Sequence, residues 1–335
     1  MWLEFTGLIL SLAIILISCE LFTNGIEWLG KKLKLGDGVI GSIFSAVGTC
    51  LPETMIPVIS ILSSNDSAEG VDIGIGAIIG APFMLSTLAF FLTGLSVLLF
   101  YKRRKTGLAM SVNNSILQRD IFFFIIVYST GITATFFDND FLKKAIAIFL
   151  CACYLFYIMQ TVKKDGESHN QLEPLLLSKY LNMKSRLSTI VIQVSLAMGG
   201  IVFGAELFVS NIESIAHVFG IPVLVLSLII APIATELPEK FNSIIWISKN
   251  KDTLALGNIT GAMVFQSCIP VSLGLVATSW DLDVKALVSA LLALISAAIT
   301  YSWIRTKGKL GPEPLLAGGG FYAIFILFLM WRGFK

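Results

Sequence analysis

The chain has 335 residues, of which 56% are hydrophobic and 14% are charged, and its mean hydropathy is +0.84. A soluble globular domain carries about 25% charged residues, so this composition excludes an ordinary soluble protein and indicates a protein built for lipid. The formal net charge of +2 does not by itself indicate any class of partner.

The apolar residues form long runs, several of which reach about 20 residues, enough for a helix to cross a hydrocarbon core of roughly 30 Å. We therefore expect an all-α polytopic membrane protein with ten transmembrane helices and no folded domain outside the membrane. Proline and glycine are expected to break span 2 near Gly48–Pro52 and span 7 near Pro232–Pro238. The expected spans are about 3–22, 38–62, 72–100, 121–137, 142–162, 188–210, 222–247, 253–278, 284–304 and 314–332.

The basic residues are distributed unevenly among the loops. Most of the 24 Lys and Arg residues lie in loops that follow odd-numbered spans, for example Lys31, Lys32 and the cluster Lys102–Lys105. Because cytoplasmic loops carry the excess of Lys and Arg, both termini are expected outside. The cluster is expected to set this orientation and to touch anionic lipid. Short loops and the lack of an evident targeting signal favour the inner membrane of a prokaryote.

The two halves of the chain are copies of each other. The sequence Thr-x-Leu-Pro-Glu occurs at Thr49–Glu53 and again, in register, at Thr235–Glu239. We expect a first five-span repeat over 1–162, a cytoplasmic linker over 163–187 and a second five-span repeat over 188–335. An odd number of spans inverts the second repeat relative to the first, so the two motifs are expected to meet near the midplane of the membrane.

Each motif places a carboxylate inside an apolar run, where an ionisable residue indicates a functional site. Glu53 and Glu239, brought together without fixed positive partners, would repel each other unless a cation or protons neutralise them. Hard oxygen ligands suit Ca²⁺, Na⁺ or related cations. The hydroxyls of Thr49 and Thr235, with carbonyls freed by the two motif prolines, would add oxygen ligands.

These paired segments resemble the α-repeats of the calcium/cation antiporter superfamily, which includes sodium/calcium exchangers. The resemblance covers nearly the whole chain, and its motif, of the type Gly-Thr-Ser-x-Pro-Glu, occurs twice in register. It implies ten spans in two inverted repeats and a secondary antiporter that exchanges Ca²⁺ or a related cation for Na⁺ or H⁺. It also implies that Thr49, Glu53, Thr235 and Glu239 line the ion sites.

The chain departs from the family pattern at the residue after each motif threonine. The family has a serine there, whereas this chain has Cys50 in the first half and Glu236 in the second. Glu236 is a candidate third ligand, a proton carrier or a gate residue that faces away from the ion. The extra acid makes proton coupling, or a different cation, more plausible than an arrangement with several Na⁺ ions.

Spans 3 and 8 also differ from the family pattern, Gly-Asn-x-x-Gly-Ser-Asn-x-x-Asn. The segment Gly76–Leu85 has lost every polar ligand, whereas span 8 keeps Asn258 and has Gln266 at a later ligand position. Gln266 is a candidate ligand. Asn258 is either a ligand or a hydrogen-bonding bridge between helices.

Small and hydroxyl-bearing residues in spans 3 and 8 have expected structural roles. Ser86, Thr87 and Ser267 are expected to pack or to bond to the backbone of their own helix. Small residues let helix backbones approach closely. Close helix contacts are therefore expected at five glycines: Gly74, Gly76, Gly80, Gly257 and Gly261.

A passive cation channel that uses the same acids as a selectivity ring is the main alternative function, and an antiporter for a cation other than Ca²⁺ is another. An enzyme is disfavoured because the chain has only two histidines and contains neither His-Glu-x-x-His nor Gly-x-Ser-x-Gly. The expected partners are inorganic cations and the lipid bilayer. No cofactor, nucleic acid or protein partner is inferred, and a monomer and a homo-oligomer are both compatible with the sequence.

Overall fold

The computed structural model describes residues 2–32, 51–63, 68–164, 174–181 and 185–332, and this part of the chain is helical almost throughout. In chain order the long helices are α1 (Trp2–Lys32), α2 (Leu51–Ser63), α3 (Ala68–Phe100), α4 (Asn114–Thr133), α5 (Asp140–Lys164), α6 (Leu187–Phe219), α7 (Val223–Ser248), α8 (Asp252–Ala277), α9 (Val284–Lys307) and α10 (Glu313–Arg332). Eight of the described helices are long and apolar enough to cross a membrane, and α2 and the apolar part of α7 are shorter. Each helix lies where a span is predicted.

Helices α1 and α6 extend well beyond the predicted ends of spans 1 and 6, at residues 22 and 210, and pack against each other along their length. Glycines make this contact close. A Cβ placed on Gly204 would lie 2.8 Å from Ile15 Cγ1, and one on Gly200 would lie 2.2 Å from Ser18 Oγ. Gly220, with φ of +61°, ends α6 and donates its N–H to the carbonyls of Ala216 and His217.

Helices α3 and α7 pack closely through two glycines of α3. A Cβ on Gly76 would lie 2.5 Å from the carbonyl oxygen of Leu224, and one on Gly80 would lie 2.2 Å from that of Leu228. A Cβ on Gly74 would lie 2.5 Å from Ile61 Cγ1 of α2. The close helix contacts predicted at Gly74, Gly76 and Gly80 are thus confirmed. At Gly261, a Cβ would meet only Tyr157 Oη, at 3.7 Å, among the described residues.

Gly257 has no neighbour within 4 Å of an added Cβ among the described residues. Gly76 contacts α7 of the second half. By the repeat, the corresponding partner of Gly257 would be a segment of the first half that lies before residue 51, outside the described residues. The contacts predicted at Gly257 and Gly261 therefore stay predictions.

Helix α7 runs without a break from Val223 to Ser248, across both Pro232 and Pro238. The prediction of an interruption near Pro232–Pro238 is therefore wrong. A proline removes one backbone donor, but its fixed φ is compatible with a helix, so a continuous helix that loses single hydrogen bonds is possible where neighbours pack against it. In span 2 the described helix begins at Leu51, and the predicted interruption near Gly48–Pro52 lies mostly outside the described residues.

Helix α3 contains one turn of π-helix, Leu85–Ala89, shortly after Pro82. Ser86 Oγ donates to the carbonyl of Pro82 at 2.8 Å, and Thr87 Oγ1 donates to that of Phe83. The helix-backbone role predicted for both hydroxyls is confirmed. Ser267 differs, because its buried Oγ has no hydrogen-bond partner within the described ranges.

The loop between α3 and α4 is anchored by a fully buried ion pair. Arg104 Nη1 and Nη2 donate to the two carboxylate oxygens of Asp252, each at 2.7 Å, and both side chains are 0% exposed. Arg104 Nη1 also donates to the carbonyl of Ile247 near the end of α7. Within the cluster Lys102–Lys105, Arg104 therefore also has a structural partner, an acid at the start of α8, whereas the expected roles of the cluster in orientation and lipid contact stay predictions.

The connection between α5 and α6 contains a short helix, Leu176–Leu181. Its first N–H groups are held by two buried side chains: Asn24 Oδ1 accepts from Leu176 N at 2.9 Å, and Gln193 Oε1 accepts from Leu177 N at 2.8 Å. Gln193 Nε2 in turn donates to Asn24 Oδ1. This part of the connection is thereby fixed to α1 and α6.

Candidate functional site

Glu53 lies in the first turn of α2 and is 5% exposed. The helix dipole and the N–H groups of a first turn favour a negative charge, so this position reduces the cost of burying the carboxylate. The motif proline, Pro52, is tolerated in the same turn because the first N–H groups of a helix have no intrahelical acceptor.

Glu53 faces a narrow pocket between helices of the two halves. The space is too narrow to hold a water molecule in this conformation. The lining residues come from α2, α3 and α7: Glu53, Ile56, Ala77, Ala81, Ala231, Pro232 and Thr235. The pocket thus brings a carboxylate of the first motif together with the threonine of the second. Ala77 and Ala81 make its α3 wall apolar.

Thr235 lines this pocket and carries a hydroxyl oxygen. It is 1% exposed, and its Oγ1 donates to the carbonyl of Ala231, one turn earlier in α7, at 2.9 Å. A hydroxyl whose hydrogen is used in this way retains lone pairs that can accept or coordinate. The backbone bond therefore orients the Thr235 oxygen as an acceptor.

Two of the predicted site residues lie outside the description of the structure. Thr49 precedes the first described residue of α2. Glu239 belongs to α7, one turn after Thr235, but its side chain is not described. Their predicted roles as ligands stay predictions.

Glu236 forms a buried ion pair within α7. Its Oε2 lies 3.0 Å from Nζ of Lys240, and both side chains are 2% exposed. The sequence left Glu236 open as a third ligand, a proton carrier or a gate residue, and the structure gives it a fixed positive partner. The reason is helical geometry, since residues four apart in an α-helix lie on the same face.

Two side chains of α8 complete this cluster. Asn258 Oδ1 accepts from Lys240 Nζ at 3.0 Å, which gives Asn258 the bridging role between helices. Gln266 is fully buried, and its Nε2 lies 3.4 Å from Glu236 Oε1. Gln266 Oε1 has no hydrogen-bond partner among the residues that the structure describes, so an acceptor remains available there.

Lys240 belongs to this buried cluster and was not predicted as a site residue from the sequence. A lysine inside an apolar span, four residues after an acid, is the pattern that could have identified it. No group of three His, Cys, Asp or Glu side chains able to hold a metal occurs in the described ranges. Within those ranges the structure instead shows one carboxylate at the pocket and a second one paired with lysine.

Buried carboxylates, a buried lysine and long apolar helices together define a polytopic membrane protein with a charged interior. The model of the family described as "Sodium/calcium exchanger protein" matches residues 3–162 and 189–334. The chain belongs to this family of membrane cation exchangers.

Two relatives resemble the chain over nearly its whole length. The inner membrane protein YrbG of Escherichia coli is 23% identical over 332 residues, which are 97% of this chain and 96% of YrbG. The putative antiporter CaxA of Alkalimonas amylolytica is 24% identical over 312 residues, 89% of this chain and 90% of CaxA.

The fold is similar to that of two solved exchangers. The H⁺/Ca²⁺ exchanger CAX matches with a TM-score of 0.74 at 18% identity, over 98% of this chain and 82% of CAX. The sodium-calcium exchanger NCX_Mj matches with a TM-score of 0.56 at 22% identity, over 98% of this chain and 99% of NCX_Mj.

Proposed function

We propose that the protein is a secondary antiporter that exchanges Ca²⁺ or a related cation for Na⁺ or H⁺. The observation that carries the proposal is the pocket in which Glu53 of the first half and Thr235 of the second half lie together. A carboxylate and a hydroxyl oxygen in a buried pocket are suitable ligands for a hard cation. A bound cation would also remove the cost of burying the charge of Glu53.

The architecture belongs to the same proposal. The chain would form ten spans in two inverted repeats, 1–162 and 188–335, joined by the linker 163–187, with both termini outside a prokaryotic inner membrane. The two matched segments of the family model and the positions of the helices support this division. The protein would act on inorganic cations without a cofactor and without enzymatic activity.

We assign the ligands in two groups. Glu53 and Thr235 are one group, together with their counterparts Glu239 and Thr49 in the inverted repeat. Gln266 would add its free Oε1. Glu236 and Asn258, in contrast, direct oxygens toward Lys240, so their contribution is to hold this lysine.

Alternating access would couple the two ions. Two glutamates without a cation repel each other in a poorly hydrated site, and this repulsion disfavours reorientation of the empty carrier. A divalent cation, two Na⁺ ions or two protons would each remove the repulsion. Exchange follows because only the neutralised site crosses between the two sides.

The test is uptake of radioactive Ca²⁺ into proteoliposomes containing the purified protein. An outward Na⁺ gradient and an outward proton gradient are imposed separately, and a third sample has neither gradient. The proposal expects accumulation above equilibrium under one gradient and saturation with external Ca²⁺. Uptake that only equilibrates Ca²⁺ under all three conditions would contradict an antiporter and favour a channel.

A further inference from the structure

The ion pair of Glu236 and Lys240 is present in only one of the two motifs. At the corresponding positions the first half has Cys50 and Thr54, which carry no charge at neutral pH. The second half thus adds one carboxylate and one ammonium together. Because these charges cancel, the formal charge of the two motifs remains that of Glu53 and Glu239.

Lys240 occupies a place with the chemistry of a cation site. Its Nζ lies 3.0 Å from Glu236 Oε2 on α7 and 3.0 Å from Asn258 Oδ1 on α8. The Lys240 side chain is 2% exposed, so these oxygens surround the ammonium inside the protein. Carboxylate and amide oxygens are also the ligands that a hard metal cation takes.

Neighbouring residues of α7 have different contacts. Thr235 lines the pocket with Glu53, whereas Glu236 and Lys240 face Gln266 and Asn258 on α8. Both carboxylate oxygens of Glu236 therefore have partners, Lys240 on α7 and Gln266 on α8.

We propose that Lys240 is a tethered cation that permanently fills the oxygen site of Glu236 and Asn258. This inference rests on the proposed function, because it takes Glu53 and Glu239 as the groups that hold the transported ions. With Lys240 in place, two negative charges are left for the cargo. The exchange is then electroneutral: one divalent cation crosses against two monovalent cations or two protons.

Removal of the ammonium changes this charge balance. Without Lys240 the site holds three carboxylates, and a buried carboxylate without a counter-charge is strongly disfavoured. While the divalent cation is bound to the other two carboxylates, the Glu236 carboxylate is held by the amide N–H of Gln266, whose Nε2 lies 3.4 Å from Glu236 Oε1. When monovalent ions replace the divalent cation, one additional positive charge enters from solution beside Glu236. Exchange of one divalent cation becomes coupled to three monovalent charges, so that one net charge crosses the membrane in each cycle.

The test is the effect of membrane potential on the Ca²⁺ accumulation ratio at steady state. Proteoliposomes take up radioactive Ca²⁺ under the driving gradient, while K⁺ and valinomycin set the potential at zero or 100 mV. Wild type is expected to give the same ratio at both potentials. In Lys240→Gln the ratio is expected to change by about 50-fold per 100 mV, the Boltzmann factor of one elementary charge.

Two further variants isolate the charge of Lys240 from its size and contacts. Lys240→Arg keeps the positive charge and is expected to stay independent of potential. The double variant Glu236→Ser, Lys240→Thr removes both charges and is also expected to be independent. If Lys240→Gln does not fold or does not transport, the double variant decides, since dependence on potential in that protein overturns the inference.

The outcomes separate this inference from the proposed function. If the Ca²⁺ accumulation ratio of the wild-type protein depends on membrane potential, the proposal of a tethered cation is wrong and the proposal of an antiporter still holds. If the Lys240→Gln variant transports Ca²⁺ and its accumulation ratio does not depend on membrane potential, the proposal of a tethered cation is likewise wrong. Wild type without Ca²⁺ accumulation under any gradient overturns the proposed function itself, and this inference with it.

Discussion

Glu53 and Thr235 belong to opposite halves of the chain, yet both line the same buried pocket between α2, α3 and α7. Each is fixed by its own helix: Glu53 by the first turn of α2 and Thr235 by a hydrogen bond to the carbonyl of Ala231. A carboxylate of the first motif and a hydroxyl of the second motif thus line the same pocket, each positioned by its own helix.

The amide oxygen of Gln266 is expected to contribute to cation binding. Gln266→Met keeps a similar length and removes the buried Oε1, so the Ca²⁺ concentration for half-maximal flux should rise about 5- to 30-fold, equivalent to about 1–2 kcal/mol. Gln193→Met is the matched control, because Gln193 is an equally buried glutamine whose contacts are with α1 and the linker helix. An unchanged half-saturation value in Gln266→Met would exclude Gln266 from the site.

Close contact between α3 and α7 is expected to make Gly80 sensitive to substitution. Gly80→Ala would place a Cβ 2.2 Å from the Leu228 carbonyl oxygen, and overpacking of this kind costs about 1–3 kcal/mol. The apparent melting temperature of the detergent-solubilised protein should fall. Gly199 is exposed, and no described atom lies within 4 Å of a Cβ added to it. The melting temperature of Gly199→Ala should therefore stay level or rise. Equal melting temperatures in the two variants would contradict the packing described for α3 and α7.

Loss of either member of the ion pair of Arg104 and Asp252 is expected to destabilise the region where the loops of the two halves meet. Arg104→Ala leaves the carboxylate of Asp252 buried without its partner, and loss of one member of a buried pair costs about 3–5 kcal/mol. Arg103→Ala changes an exposed neighbour and should alter the free energy of unfolding by less than about 0.5 kcal/mol. Thermal unfolding of both variants in detergent measures the difference. A similar, small effect in both would show that the buried pair is not strongly stabilising.

The positions of the helices could be predicted from the sequence because hydropathy and the placement of Lys and Arg are local properties. The same holds for the close contact at Gly76 and Gly80, since small residues at this spacing have few other uses in an apolar helix. Buried carboxylates inside apolar runs likewise identified Glu53 and Glu236 as residues with a special role.

The partners of the charged residues could not be predicted in this way. Arg104 was indistinguishable in sequence from its exposed neighbours, and only the fold brings it to Asp252, far along the chain. The continuity of α7 across Pro232 depends on packing against α3, where Pro232 Cγ lies 2.8 Å from the Cβ position of Gly80. Lys240 is different, because its spacing from Glu236 was visible in the sequence.

Glu53 and Thr235, from opposite halves of the chain, are proposed to bind one transported cation. This binding is tested most directly by the initial rate of Ca²⁺ uptake, under the driving gradient, in Glu53→Gln and Thr235→Ala. Glu206→Gln, which changes an exposed glutamate of α6, is the control.

We expect Glu53→Gln to abolish uptake, because the carboxylate charge is lost and the shape is kept. Thr235→Ala is expected to raise the half-saturating Ca²⁺ concentration about tenfold, and Glu206→Gln to transport like wild type. Folding of each variant is verified by size-exclusion chromatography. Wild-type uptake by a folded Glu53→Gln protein would contradict the account.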